Sequence, residues 1–276
     1  MSALAARPAS PRRGGSPVGF VRDTVLLTAR SLRAIPRVPE RLLDVTIQPI
    51  VFILLFLYVF GSAIHIPGIS YANYMFPGII GQSLAFGVIG AGVATSNDMT
   101  EGVIDRFRSM PISRLSIISG QVMGQFCEQV VGMVIVIGLG LALGWNPHLT
   151  PGHAIELAAL LVFGMLAFTW MGVLFGMLVR SSDAMQGLGF IVIFPLTFLA
   201  GTFVPIAGMA AVPRAIAQWD PISALVAAVR QLTEGYHATG SWQLAHPTVA
   251  MALWCLVIIA VCAPLALWRF NRKLAS

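Results

Sequence analysis

The chain has 276 residues, of which 57% are hydrophobic and only 10% charged, and its mean hydropathy is +0.83. Soluble proteins carry roughly 25% charged residues, so this composition excludes a soluble enzyme, a disordered chain and a disulfide-stabilised scaffold. It predicts an integral membrane protein, in which a net charge of +6 reports on topology rather than on nucleic-acid binding.

The N-terminal part of the chain is basic and divides into two segments. Residues 1–17 are small, proline-rich and basic, and predict a disordered tail. Residues 18–41 follow, and within them Phe20–Ile35 places its apolar residues on one helical face and its arginines off that face. This pattern predicts an amphipathic helix on the anionic inner surface of a membrane, and the alternative is an ordinary solvated helix start.

Six apolar runs fill residues 42–272, and residues 273–276 form a short tail. Each run has roughly the 20 residues that a helix needs to cross about 30 Å of hydrocarbon, and none alternates with the period of two expected of strands. The sequence therefore predicts an all-α integral membrane protein with six transmembrane helices. The predicted spans are Val45–Ile64, Met75–Thr95, Leu115–Leu143, Ala154–Val179, Met185–Val204 and Thr248–Trp268.

The distribution of basic residues predicts the orientation of these spans. The two terminal segments and the loops after the second and fourth spans hold 15 Arg or Lys residues, whereas the other loops hold only Arg214 and Arg230. Because cytoplasmic loops carry the excess of positive charge, both termini are expected to face the cytoplasm. The long outer segment 205–247 contains Ile222–Leu232, which is apolar but too short to span. It predicts a re-entrant helix that dips into the outer leaflet.

The loop between the second and third spans is the densest polar segment. Met99, Val103, Phe107 and Met110 recur there at helical spacing, with charges of both signs beside them, and Pro111 ends the pattern. This predicts a short amphipathic cytoplasmic helix suited to docking on a partner protein. The alternative is a membrane-surface helix with no partner.

Polar side chains also occur inside the third span. Gln121, Gln125 and Glu128 follow i, i+4, i+7 spacing and should share an inward face, because a charge at membrane depth is costly. Two interpretations stand for Glu128: a group that lines a transport path or binds a cation, and a polar contact between helices. Glycine pairs such as Gly172-x3-Gly176 predict close approach of helices.

The motifs of several catalytic and nucleotide-binding sites are missing from the sequence. It has no GxxxxGK[ST] phosphate loop, no HExxH, no GxSxG and no metal-like cysteine spacing. We therefore expect no catalytic residues, no metal site and no cofactor in this chain.

Two stretches carry a resemblance to a known family. DMTEGVIDRFRSMPISR resembles the cytoplasmic loop of type-2 ATP-binding-cassette exporter permeases of the daunorubicin-resistance branch. FPLTFLAGTFVPIAGM, followed by AQWDPISALVAAVRQL, resembles the fifth span and outer re-entrant segment of that family. The resemblance covers roughly residues 20–272.

The resemblance implies partners and a role for the cytoplasmic loop. In such permeases this loop is a coupling helix that contacts a separate ATPase subunit, on which ATP and Mg are bound. A second permease copy, identical or closely related, completes the transporter in a bacterial-type plasma membrane, with no role for nucleic acid. The residues implied in ATPase coupling are Glu101, Gly102, Asp105, Arg106, Arg108, Pro111 and Arg114.

The same resemblance implies a function. The chain would be the permease subunit of an exporter that moves an amphiphilic or hydrophobic substrate, such as a drug, antibiotic, lipid or glycolipid. Spans two and five would line its cavity, and the alternative is that the aromatic residues there face lipid or the core. The resemblance therefore implies Phe86, Phe194 and Phe198 as substrate-path residues, and the polar face of the third span adds Gln125 and Glu128. The alternative function is an ion-coupled secondary carrier that works without an ATPase.

Overall fold

The computed structural model describes residues 22, 24–26, 28, 39–61, 63–64, 66, 68–100, 114–238 and 240–275. Over these residues the chain is helical, apart from turns and an isolated bridge between Ile66 and Ile69. The helices are α1 (Pro39–Leu54), which continues as a π-helical turn (Leu55–Phe60), α2 (Tyr71–Thr100), α3 (Arg114–Ala142), α4 (Pro151–Leu178), α5 (Ser182–Leu199), α6 (Ala211–Ala217), α7 (Pro221–Glu234), α8 (Trp242–Ala245) and α9 (Pro247–Ala275).

Five helices in the described part of the chain are long and apolar enough to cross a membrane: α2, α3, α4, α5 and α9. The stretch Ile47–Phe60 is a shorter apolar helix. The all-helical membrane architecture is thus confirmed, and five of the six predicted spans coincide with helices of spanning length.

Two predicted boundaries need correction. The second span was expected to begin at Met75, but α2 begins at Tyr71 because the Ser70 hydroxyl caps it, accepting the Asn73 N–H at 3.2 Å. The fifth span was expected to reach Val204. The chain instead turns at Gly201, whose φ of 70° suits glycine, and α5 ends at Leu199.

Helix α2 lies at the centre of the bundle. It packs against α3, α4, α5 and α7, and 72% of its apolar stretch is buried, against 22% for α5. The backbones of α2 and α4 approach closely, because a Cβ at Gly172 would overlap the Val88 carbonyl and one at Gly176 would overlap that of Gly92. The close approach predicted for this glycine pair is confirmed.

Candidate functional site

Eight phenylalanines from α1, α2, α5 and the turn after α5 meet in one aromatic group, here called the phenylalanine cluster. Neighbouring ring centroids in it lie 3.7 to 6.4 Å apart. Four-residue spacing along α1 and α5 places the rings of each helix on one face. The members are Phe52, Phe56, Phe60, Phe86, Phe190, Phe194, Phe198 and Phe203.

The structure brings together the three phenylalanines predicted from the sequence. The Phe86 and Phe194 centroids are 6.4 Å apart, and those of Phe194 and Phe198 are 4.8 Å apart. All three rings are half-buried, whereas Phe60 and Phe190 are exposed. The cluster therefore extends from the interior of the bundle to its surface. That it lines a substrate path stays a prediction.

Sequence reasoning missed the other five rings. The signal was present, because Phe52, Phe56 and Phe60 repeat every four residues, and so does Phe190 with the two predicted rings of α5. What the sequence lacked was the contact between the two helices. Phe52 lies 6.3 and 6.2 Å from the rings of Phe194 and Phe198 across that contact.

Gln125 and Glu128 lie on α3, which contributes no ring to the phenylalanine cluster. Both are half-buried. Their neighbour Gln121 donates from Nε2 to Asp98 Oδ2 at 2.9 Å and to Thr95 Oγ1 at 3.2 Å, and so joins α3 to α2. These bonds show that part of the polar face of α3 joins helices. The substrate-path role of Gln125 and Glu128 stays a prediction.

A second polar contact of α3 lies farther along the helix. The Thr169 hydroxyl lies 3.4 Å from Gln129 Oε1 and also donates to the Met165 carbonyl at 2.7 Å. Gln129 and Thr169 are both buried. Because unsatisfied polar groups are costly in a bilayer, such pairs fix the packing of α3 against α4.

The predicted coupling helix lies largely outside the described residues. Glu101, Gly102, Asp105, Arg106, Arg108 and Pro111 all fall in the segment 101–113, between the end of α2 and the start of α3. Arg114 is the first residue of α3. Of the predicted N-terminal amphipathic helix, only residues 22, 24–26 and 28 are described, and these are helical. Both predictions stay open.

Helix α7 covers the segment predicted to be re-entrant. The Asp220 side chain caps its start by accepting the Ser223 N–H at 3.1 Å, and Gly235 ends it with a φ of 64°. The helix is buried along nearly its whole length and packs against α2 and α9. An element this short and this buried is held by its neighbours rather than by its own propensity.

Arg230 is the buried charge of α7, with only 4% of its surface exposed. Its Nη2 donates to the carbonyls of Tyr74 at 2.9 Å and Gly201 at 3.1 Å, and its Nε also donates to Tyr74 O at 3.2 Å. The Tyr74 hydroxyl donates to the same Gly201 carbonyl at 3.0 Å. One arginine thus joins α7, the start of α2 and the turn after α5.

The loop between α3 and α4 is fastened to the end of α7. Trp145 Nε1 donates to Glu234 Oε1 at 3.1 Å, and the His148 N–H donates to the Thr233 carbonyl at 2.8 Å. Burial raises the pKa of Glu234 above its usual value, although the Trp145 indole and the neighbouring His148 oppose this. This loop and the end of α7 are therefore packed together.

Comparisons with known proteins give the family. The family model described as ABC-2 type transporter matches residues 22–233. The chain is 28% identical over 246 residues to the daunorubicin resistance ABC transporter permease protein DrrB1 of Streptomyces coeruleorubidus, covering 88% of this chain and 84% of that protein. It is 25% identical over 207 residues to the doxorubicin resistance ABC transporter permease protein DrrB of Mycobacterium tuberculosis, covering 71% of this chain and 69% of that protein.

The family match extends over most of the chain and agrees with the apolar helices of spanning length. It confirms the resemblance drawn from the cytoplasmic loop and the outer segment. The chain is a multi-pass membrane protein that belongs to the ABC-2 type transporter permease family.

Proposed function

We propose that this chain is the membrane-spanning subunit of an exporter driven by ATP hydrolysis on a separate ATPase chain. Its cargo is an amphiphilic or hydrophobic molecule such as a drug, antibiotic, lipid or glycolipid. The observation that carries the proposal is the phenylalanine cluster, which joins three helices and reaches the surface at Phe60 and Phe190. The relatives named for daunorubicin and doxorubicin resistance support the same class of cargo.

The chemistry of the phenylalanine cluster favours a flat, apolar cargo. Aromatic pairs attract at centroid separations of 4.5 to 7 Å, and each pair contributes about 0.5–1.5 kcal/mol beyond its buried area. The rings of the cluster contact one another. A planar molecule that enters between α1 and α5 therefore replaces contacts between these rings with similar contacts to itself. An ion or a sugar would lose its hydration there without replacement.

The remaining span, predicted as Val45–Ile64, is α1 with its π-helical continuation. Together Pro39–Leu54 and Leu55–Phe60 form helix over 16 and 6 residues. At about 1.5 Å per residue the helical residues from Val45 to Phe60 cover about 24 Å, and the predicted span continues to Ile64. With six spans both termini lie on one side, and the excess of basic residues places that side in the cytoplasm. Helix α7 is then the outer re-entrant element.

Coupling to the ATPase passes through the segment between α2 and α3. Glu101, Arg106 and their neighbours contact the ATPase, and the contact between Gln121 and Asp98 links movement of this segment to the bundle. Rigid displacement of α2 and α3 then changes access to the cavity between inside and outside. ATP and Mg are bound by the ATPase chain.

A second permease copy covers the exposed apolar face beside the phenylalanine cluster. On α5, Leu188, Ile191 and Val192 are 52%, 72% and 51% exposed. On α1 and its π-helical continuation, Val51 and Tyr58 are also exposed. Two copies that meet along α1 and α5 enclose their phenylalanine clusters in a common cavity.

The test is reconstitution with and without the ATPase chain. We expect the permease to co-purify with its ATPase, and inverted vesicles holding both chains to accumulate daunorubicin, used as the probe, only with ATP. Glu101→Ala and Arg106→Ala should each reduce uptake and stimulated ATPase activity at least tenfold. Glu156→Ala, at the other end of the bundle, is the matched control. Uptake by the permease alone would instead favour the ion-coupled carrier.

A further inference from the structure

A cavity of about 430 Å³ lies where α2 and α4 end beside the last turns of α9. It is far larger than the space that one water molecule needs, so it accommodates a polyatomic group. Its wall combines two arginines, two hydroxyl side chains and apolar side chains. They include Arg180, Arg269, Ser96, Thr100, Met177 and Leu178.

Among the described residues, every charged side chain that lines this cavity is positive. Arg180 and Arg269 both line it, and its described wall contains no carboxylate. The Nε–H of Arg269 is shielded from solvent and has no acceptor within the described part of the chain. Buried donors in native proteins are nearly always paired, so an acceptor from a ligand is expected here. Guanidinium groups match phosphate oxygens in charge and geometry.

The cavity also lies at the height expected of a lipid headgroup. Trp268, next to Arg269, is half-exposed, and the Arg272 guanidinium lies 4.3 Å from its ring centroid. Tryptophan and arginine at a helix end are typical of the membrane interface. Leu178 and Leu265 are exposed beside it, on two helices that pack together. Such an apolar surface can contact the acyl chain of a lipid, whereas free phosphate would leave it without a contact.

We propose that this cavity binds the phosphate headgroup of an anionic membrane lipid in the cytoplasmic leaflet. Basic pockets between transmembrane helices on the cytoplasmic side bind such headgroups. Arg180 and Arg269 hold the phosphate oxygens, and the Ser96 and Thr100 hydroxyls lie in the same wall. The lipid would tie α9 to the ends of α2 and α4. The proposal rests on the proposed orientation, but on neither the cargo nor the ATPase.

The test measures lipid retained by the full-length chain in detergent, using native mass spectrometry with phosphatidylglycerol and phosphatidylcholine. We expect phosphatidylglycerol adducts to exceed phosphatidylcholine adducts at least tenfold. The double variant Arg180→Gln/Arg269→Gln should lower them about tenfold. Arg272→Gln is the control for a general loss of positive charge. It removes one charge from a side chain that lies about one turn farther along α9 and outside the cavity wall. It should change the adducts less than twofold.

A second variant tests whether the double variant loses lipid because it misfolds. Arg269→Lys keeps the charge but removes the Nε–H, so it should lower phosphatidylglycerol retention about threefold while the melting temperature stays unchanged. Equal retention by Arg269→Lys and the parent chain would overturn the assignment.

Two further outcomes would also overturn it. Complete displacement of the lipid by millimolar inorganic phosphate would show a site for a free anion. Retention of phosphatidylglycerol by Arg180→Gln/Arg269→Gln equal to that of the parent chain would show that the lipid binds elsewhere on the protein.

Discussion

The guanidinium of Arg230 lies 3.6 Å from the centroid of the Tyr74 ring and also donates to the Tyr74 backbone carbonyl. A residue of α7 thereby holds the first turns of α2 by two different interactions. Its third contact, to the Gly201 carbonyl, includes the turn after α5. These three segments are therefore held together in part by this one side chain.

Replacing Arg230 should therefore loosen this end of the bundle. Arg230→Ala removes the guanidinium donor from the Tyr74 carbonyl and one of two donors from the Gly201 carbonyl, which keeps its bond from the Tyr74 hydroxyl. A buried group that loses its partner costs about 1–3 kcal/mol. We expect the melting temperature of the purified chain in detergent to fall by several degrees. Arg214→Ala serves as control, because Arg214 also donates to backbone carbonyls but is exposed. An equal fall in melting temperature for both variants would show that the burial of Arg230 does not add to stability.

The close contact of α2 with α4 predicts that a larger side chain in place of Gly176 lowers stability. Gly176→Val places a branched side chain where the Gly92 carbonyl already lies. Overpacking of this kind costs about 1–3 kcal/mol, so thermal unfolding should occur at a lower temperature. Gly152→Val is the control, since Gly152 lies in the first turn of the same helix with open space around it. A Gly176 variant as stable as the parent would refute the close contact.

Phe198 is one of three rings in the phenylalanine cluster that each contact four others, in its case Phe52, Phe56, Phe194 and Phe203. If the cluster holds cargo, Phe198→Ala should reduce daunorubicin transport about tenfold, which corresponds to 1.4 kcal/mol of lost stacking. Phe198→Trp should retain most of the activity.

The control for this experiment is Phe175→Ala. Phe175 is an exposed phenylalanine of α4 outside the phenylalanine cluster, and its removal should change transport less than twofold. Both variants should keep basal ATPase activity. Equal transport by Phe198→Ala and Phe175→Ala would remove the cluster from the substrate path.

Gln121 should affect coupling rather than cargo. Its amide bonds Asp98 and Thr95 near the end of α2, immediately before the predicted coupling helix. Gln121→Leu removes this link, so we expect the amount of cargo moved per ATP hydrolysed to fall about threefold while the complex still assembles. Gln186→Leu, at an exposed site on α5, is the control. An unchanged ratio would show that the bond is only structural.

The positions of the spans could be predicted because each depends on local composition. A run of about 20 apolar residues must become a membrane helix, whatever its neighbours are. The ends of those runs were less predictable. The start of α2 depends on capping by Ser70, and the end of α5 depends on the turn at Gly201, which apolarity alone does not mark.

The burial of Arg230, in contrast, could not be predicted from local composition. By sequence it counted as an outer-loop cation, yet it lies within the apolar run Ile222–Leu232, where a charge needs internal partners. Those partners are backbone carbonyls of Tyr74 and Gly201, which no side-chain pattern reveals.

Alone, the sequence determined that this protein is a helical membrane permease, because hydrophobicity and the family's motifs are properties of consecutive residues. Only the tertiary structure decided which faces meet. Phe52 and Phe198 are 146 positions apart, and nothing local brings their rings to 6.2 Å. Helices in lipid associate through shape and polar contacts rather than through apolar character, so their pairing follows from packing and not from composition.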